Sequence, residues 1–154
     1  MRPFPFRFAA RALLALAVCA PSLLVQPAGA QQGTALAPGY ARVWMLRQYQ
    51  PAESLRTPMI YLNGAPFAVS QPGTIFYRDL PPGAYRFTVE SCTTDIGQAQ
   101  EVNLAPGSQI DLEVQSLGSM MARGCLVREN FYVRQIDPAR AQLFLPQLAY
   151  LGPG

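Results

Sequence analysis

The chain reads as an all-β protein, a small antiparallel β-sandwich with a short C-terminal helix. Two patterns predict it. Strict alternation of apolar and polar residues marks half-buried strands: Tyr85, Phe87 and Val89 fall on one face, with Arg86, Thr88 and Glu90 on the other. Pro/Gly turn signals then punctuate the chain at short, regular intervals, and almost no helical period lies between them.

The elements follow in order. Gln31 to Gly39 is polar and Gly/Pro-containing, a flexible linker by composition. Tyr40 to Gln48 is rich in aromatic and branched residues and predicts a first strand, and the loop to Pro58 holds two prolines. Met59 to Leu62 runs into Asn63-Gly64, the pair that supplies both positive-φ positions of a type I′ hairpin turn. The partner strand is expected over Pro66 to Ser70, with the proline confined to its first position.

Gln71-Pro72-Gly73 turns the chain into a strand from Thr74 to Leu80, and Pro81-Pro82-Gly83 turns it again into the alternating strand that begins at Tyr85. Val102 and Leu104 suggest a short strand before Ala105-Pro106-Gly107. Ile110, Leu112 and Val114 then alternate with Gln109, Asp111 and Glu113, and Leu126 to Arg134 completes seven or eight strands, with Phe131 and Val133 inward. Asp137-Pro138 combines an N-cap with proline at the first helical position. A helix to about Leu145 is expected, stopped by Pro146. The apolar tail behind it should fold back over one open end of the sandwich, because so large an apolar patch is uncommon on a monomer. The organisation is thus residues 1–30 as leader, 31–39 as linker, 40–136 as sandwich and 137–154 as helix and tail.

The leader has the order of a secretory signal peptide. Arg2, Arg7 and Arg11 precede an apolar run from Ala12 to Val25, and Ala28-Gly29-Ala30 offers a small-x-small cleavage site. The run is shorter than the roughly 20 residues a membrane-spanning helix needs, and Pro21 interrupts it. Export with cleavage after Ala30 is the expectation. Leu16-Ala17-Val18-Cys19 resembles a lipobox, but Val18 is bulkier than the small residue such a site takes before its cysteine, so lipidation of Cys19 is the rival reading. Contact with a membrane is expected only if Cys19 is lipidated or the leader stays uncleaved.

Composition narrows the chemistry. Three of the twelve basic residues lie in the leader, leaving nine arginines against nine carboxylates, so the net charge of +3 belongs to the leader. The remaining domain has no basic surplus for nucleic acid. The chain contains no His, which excludes Ser-His-Asp and Cys-His catalysis and every His-ligated metal site within it. With Cys19 in the leader, Cys92 and Cys125 remain as a pair expected to form a disulfide in an oxidising compartment.

The motifs Leu62-Asn63-Gly64, Leu80-Pro81-Pro82-Gly83-Ala84-Tyr85 and Leu104-Ala105-Pro106-Gly107 give residues 40–136 a resemblance. The chain resembles the exported domains of unknown function grouped as DUF2846 and, more loosely, PEGA-type and carboxypeptidase-regulatory-like domains. The resemblance implies a transthyretin-like or immunoglobulin-like sandwich at the cell envelope and brings no catalytic residues with it.

Reactive constellations are sparse. Asp111 and Glu113 stand two apart on a strand and should share its solvent face, while Glu90 and Asp95 are separated by an expected strand end. Arg86, Arg123, Arg128 and Arg134 could clamp an anion, but with as many acids as arginines ordinary surface ion pairs are expected. Most aromatics are needed for the core; Trp44 and Tyr77 are the two whose facing strand parity leaves open, and they are the candidates to face a ligand. No phosphate loop or nucleophile elbow occurs. The expected function is a non-enzymatic envelope binding or scaffold domain with a protein partner and without cofactor or metal. The alternative is a small-ligand or glycan-binding sandwich using exposed Trp44 and Tyr77.

Overall fold

The computed structural model describes residues 34–51, 55–92, 98–116 and 130–154. The leader with Cys19, and also Glu53, Asp95, Arg123, Cys125, Arg128 and the first part of the expected last strand, lie outside the described residues.

Within them the chain forms β1 (Ala41–Arg47), β2 (Met59–Leu62), β3 (Ala65–Val69), β4 (Thr74–Leu80), β5 (Gly83–Val89), β6 (Gln100–Leu104), β7 (Gln109–Ser116), β8 (Phe131–Ile136), α1 (Pro138–Phe144), a 3-10 turn (Leu145–Gln147) and β9 (Ala149–Pro153). Two sheets result. The larger runs β8-β7-β1-β4-β9 and the smaller β3-β2-β5-β6. The all-β sandwich with one short C-terminal helix is therefore the fold of this chain.

The turn chemistry works as the sequence predicts. Asn63 (φ 50°) and Gly64 (φ 84°) take the left-handed conformations of the β2–β3 hairpin. The Asn63 side-chain oxygen accepts from the Arg86 backbone N–H at 2.8 Å, which ties that turn to β5 as well. Tyr85, behind the Pro81-Pro82-Gly83 turn, donates its hydroxyl to the Pro81 carbonyl at 2.9 Å. The Asp137 side chain caps α1 by accepting from the Ala139 N–H at 2.8 Å.

The core lies between the sheets. Val43 and Met45 of β1, Phe76 of β4, and Leu112 and Val114 of β7 meet Ile60, Phe67, Phe87 and Leu104 of the smaller sheet. Phe67 and Phe87 touch edge-on, with centroids 5.6 Å apart.

Three features depart from the expectations. Two pairings are parallel, β1 with β7 and β4 with β9, so the larger sheet is mixed. Tight turns announce only antiparallel neighbours, whereas a parallel pair joins strands distant in sequence. The apolar tail contributes β9, a fifth strand of the larger sheet. The helix covers a face of that sheet, not an end of the sandwich: Ala141, Phe144, Leu145 and Leu148 pack with Leu46, Ile75, Ile136 and Trp44 in a second apolar cluster.

That second cluster corrects the expectation that Asp111 and Glu113 share a solvent face. They do share a face, but Glu113 is 1% exposed. The outer face of the larger sheet carries the C-terminal segment, so polar residues there can be covered. Glu113 accepts from the Gln48 side-chain amide at 2.5 Å and from that of Gln115. Asp111 is half-buried; burial, and then the nearby Asp137, push its carboxyl above the usual carboxylate range.

Candidate functional site

Strand register builds an aromatic cluster on the outer face of the larger sheet. Trp44 of β1 is the direct cross-strand neighbour of Tyr77 of β4, and Tyr150 of β9 stands beside Ile75. The Trp44 and Tyr77 rings meet edge-on with centroids 5.0 Å apart. Tyr150 stacks on Tyr77 at 6.3 Å with planes 12° apart and lies 6.3 Å from Trp44. The Trp44 indole N–H donates to the Gln109 side-chain oxygen at 3.1 Å.

An ion pair underlies the cluster. Arg42 and Asp79 are cross-strand partners one residue pair's alternation from Trp44 and Tyr77, and Arg42 donates from Nε and Nη2 to the two carboxylate oxygens at 2.7 and 2.8 Å. The Arg42 guanidinium also sits 3.8 Å from the Tyr77 ring centroid. The hydrogen bond to Asp79 holds the Arg42 proton above its ordinary affinity, against the opposing cost of burial. Burial raises the Tyr150 phenol above its usual value, and the neighbouring Tyr77 hydroxyl adds to this.

The expected ligand-facing pair is thus brought together, but only half of it faces outward. Tyr77 is 3% exposed, which corrects its expected exposure. The Arg42 guanidinium, Trp44, Tyr150 and the Thr34 hydroxyl, which shares a hydrogen bond with the Tyr77 hydroxyl, enclose it. Trp44 is half-buried, and Tyr150, at 38% exposed, is the accessible member of the cluster. Strand parity could not find Tyr150 or the Arg42–Asp79 pair, because it names a residue's face without naming its neighbours. The apolar tail was the one signal that pointed to Tyr150.

Tyr150 stands on β9, the end strand of the larger sheet among the described residues, and the sandwich's two sides differ. On one side β8 is tied toward β6: Val133 N–H donates to the Gln98 carbonyl at 3.2 Å, and Gln135 N–H to the Gln100 side chain at 3.0 Å. That side also carries Glu101 and Arg134. The other side has β3 and β9, with Arg78 of β4 over the Phe67 ring at 4.8 Å between the sheets. Neither β3 (Ala-Pro-Phe-Ala-Val) nor β9 (Ala-Tyr-Leu-Gly-Pro) contains a charged residue. Val69 and Leu151 are exposed there at 40% and 49%. Among the described residues no strand pairs with the outer edge of either one. Natural sheet edges usually carry charge, a proline or a cover against such pairing. Pro66 serves β3 in this way, whereas in β9 the only proline is the terminal Pro153.

Concavities lie elsewhere, among them the following two. One of about 380 Å³ is lined by Arg56, Thr57, Pro58, Glu90, Ser91 and Cys92, and a shallow one of about 490 Å³ lies over Asn63, Tyr85, Arg86, Glu101 and Asn103. Cys92 sits just past the end of β5, where strand alternation no longer governs its direction. No group of three metal-ligating side chains occurs among the described residues, and none of their helices is long and apolar enough to cross a membrane. No family model matches the chain, and no curated protein matches it.

Proposed function

We propose that this chain is an exported cell-envelope protein whose sandwich is a non-enzymatic binding or scaffold module, recruiting an extended protein segment by strand addition. The observation that carries the reading is the uncharged edge of β9, with which no strand pairs among the described residues. Such an edge offers main-chain donors and acceptors for affinity, while flanking side chains such as Tyr150 and Leu151 supply selectivity. The signal-peptide order of residues 1–30 and the resemblance to exported DUF2846-type domains support the envelope location. The near-neutral domain argues against nucleic acid. A disulfide between Cys92 and Cys125 belongs to the same reading, since an oxidising compartment favours it.

The test is site-specific photocrosslinking in intact envelopes. A crosslinker at Leu151 should give an adduct of one defined mass that a crosslinker at Glu101, on the closed side, does not give. The adduct should disappear when Tyr150→Lys places a charge on the edge. Equal labelling from both positions would refute the assignment.

A second reading rests on the aromatic cluster. Trp44 and Tyr150 form a partly exposed platform with the Gln109 amide beside it, a combination that suits a sugar ring. Trp44 is the chain's single tryptophan, so its fluorescence reports directly on that platform. Saturable quenching by envelope oligosaccharides would favour this reading over strand addition.

A further inference from the structure

We infer that the segment recruited by the β9 edge is β9 of a second copy of this chain, paired antiparallel about a two-fold axis at Tyr150. The inference rests on the strand-addition reading and names the partner of that same edge.

Main-chain geometry comes first. Ala149 N–H donates to the Gly73 carbonyl at 2.9 Å, so Ala149 addresses its backbone to β4. Alternation along a strand then turns the N–H and C=O of Tyr150 away from β4, toward the open edge. Two copies related by a two-fold axis would exchange both hydrogen bonds between Tyr150 and its counterpart, a hydrogen-bonded antiparallel pair with Cα atoms about 5.5 Å apart.

Charge and side chains select a second copy as the occupant. An isologous interface places each patch against itself, so any charge on it meets a like charge. β9 has none. The β6 and β8 edges, which carry Glu101 and Arg134, would each oppose self-pairing. The aromatic cluster spans β1, β4 and β9 and stops at Tyr150, which is 38% exposed. Directly opposite residues of an antiparallel pair lie on one face. Two-fold pairing therefore sets the two Tyr150 rings side by side and continues the cluster from one copy into the other, giving one sheet across the dimer. An edge of five residues is short. Its interface falls at the low end of the usual size range, so the dissociation constant should be on the order of micromolar.

Sedimentation equilibrium of the exported chain over a range of concentrations tests this. A reversible monomer–dimer equilibrium is expected. Leu151→Lys should weaken it about tenfold or more, because the two lysines face each other diagonally across the axis. The melting temperature of the dilute monomer should stay unchanged, since Leu151 is exposed. Photocrosslinking from Leu151 in the purified protein should yield a covalent dimer mapped to β9. A chain that stays monomeric up to high micromolar concentration, or a dimer indifferent to Leu151→Lys, overturns the inference. If the purified chain is monomeric while the envelope crosslink from Leu151 captures another protein, self-pairing fails and strand addition stands. If neither crosslink forms, both fail.

Discussion

Arg42 shows what a single buried charge demands of its neighbours. Its side chain is 5% exposed and that of its partner Asp79 is 23% exposed. Removing the carboxylate alone leaves a guanidinium under Tyr77 with no counter-ion. Breaking a fully buried pair costs about 3–5 kcal/mol, and the water access of Asp79 reduces this. Asp79→Ala is therefore expected to destabilise by about 2–3 kcal/mol in urea unfolding. Replacing both partners, Arg42→Met with Asp79→Leu, should recover most of the loss. A change under about half a kcal/mol for Asp79→Ala would show that the pair is only a surface contact. Asp111 carries the opposite sign. Burial and Asp137 raise its folded-state pKa above the unfolded value, so the folded state binds its proton more tightly. Its favourable contribution is complete below the unfolded pKa, near the ordinary 3.9 for Asp, and is lost as pH rises through the raised folded pKa. At neutral pH the charged form is a net cost. Asp111→Asn should raise the melting temperature at pH 7, and its advantage should shrink as pH falls into the ordinary carboxylate range. An advantage that does not vary with pH would contradict the assignment.

Individual strands were legible where turn chemistry bounded them. β2 and β4 occupy Met59–Leu62 and Thr74–Leu80 as read, because Asn63-Gly64, Gln71-Pro72-Gly73 and Pro81-Pro82-Gly83 leave few other ways to place their ends. β9 was not legible, since Ala-Tyr-Leu-Gly-Pro has no alternation and holds both a glycine and a proline. It is a strand because β4 offers it an edge: Ala149 bonds to Gly73, and Gly154 N–H bonds to the Tyr77 carbonyl at 2.9 Å. Ala141 and Phe144 of the helix, with Leu145 and Leu148 after it, pack over Leu46 and Ile75, both 1% exposed. Truncation after Ile136 is therefore expected to expose those side chains with Trp44 and Tyr77 and to leave β4 as a new sheet edge. The shortened chain should melt at lower temperature or aggregate, as light scattering on heating would show. A truncated domain as stable as the full chain would mean that the segment only rests on the sheet.

At the scale of the molecule, export and the disulfide are one connected expectation. Intact mass after expression in a secreting host should place Gln31 at the new N-terminus, whereas a diacylated species beginning at Cys19 would make the chain a lipoprotein. Denatured, unreduced protein should show no free thiol if Cys92 and Cys125 are joined, and the bond should contribute about 3–4 kcal/mol by loop-closure entropy. Two free thiols would refute it. What the sequence by itself determined is local: the β class, the turn positions, the α1 cap at Asp137, and the side of the core on which Phe87, Val114 and Val133 fall. These depend on the conformational preferences of a few adjacent residues and on the two-residue period of a strand. Only the tertiary structure decided that β1 lies beside β7, that the outer face of the larger sheet is covered, and that Trp44, Tyr77 and Tyr150 meet. Those outcomes depend on which distant strands become neighbours. The alternation that places Glu113 on the outer face says nothing of whether water or the C-terminal segment will occupy it.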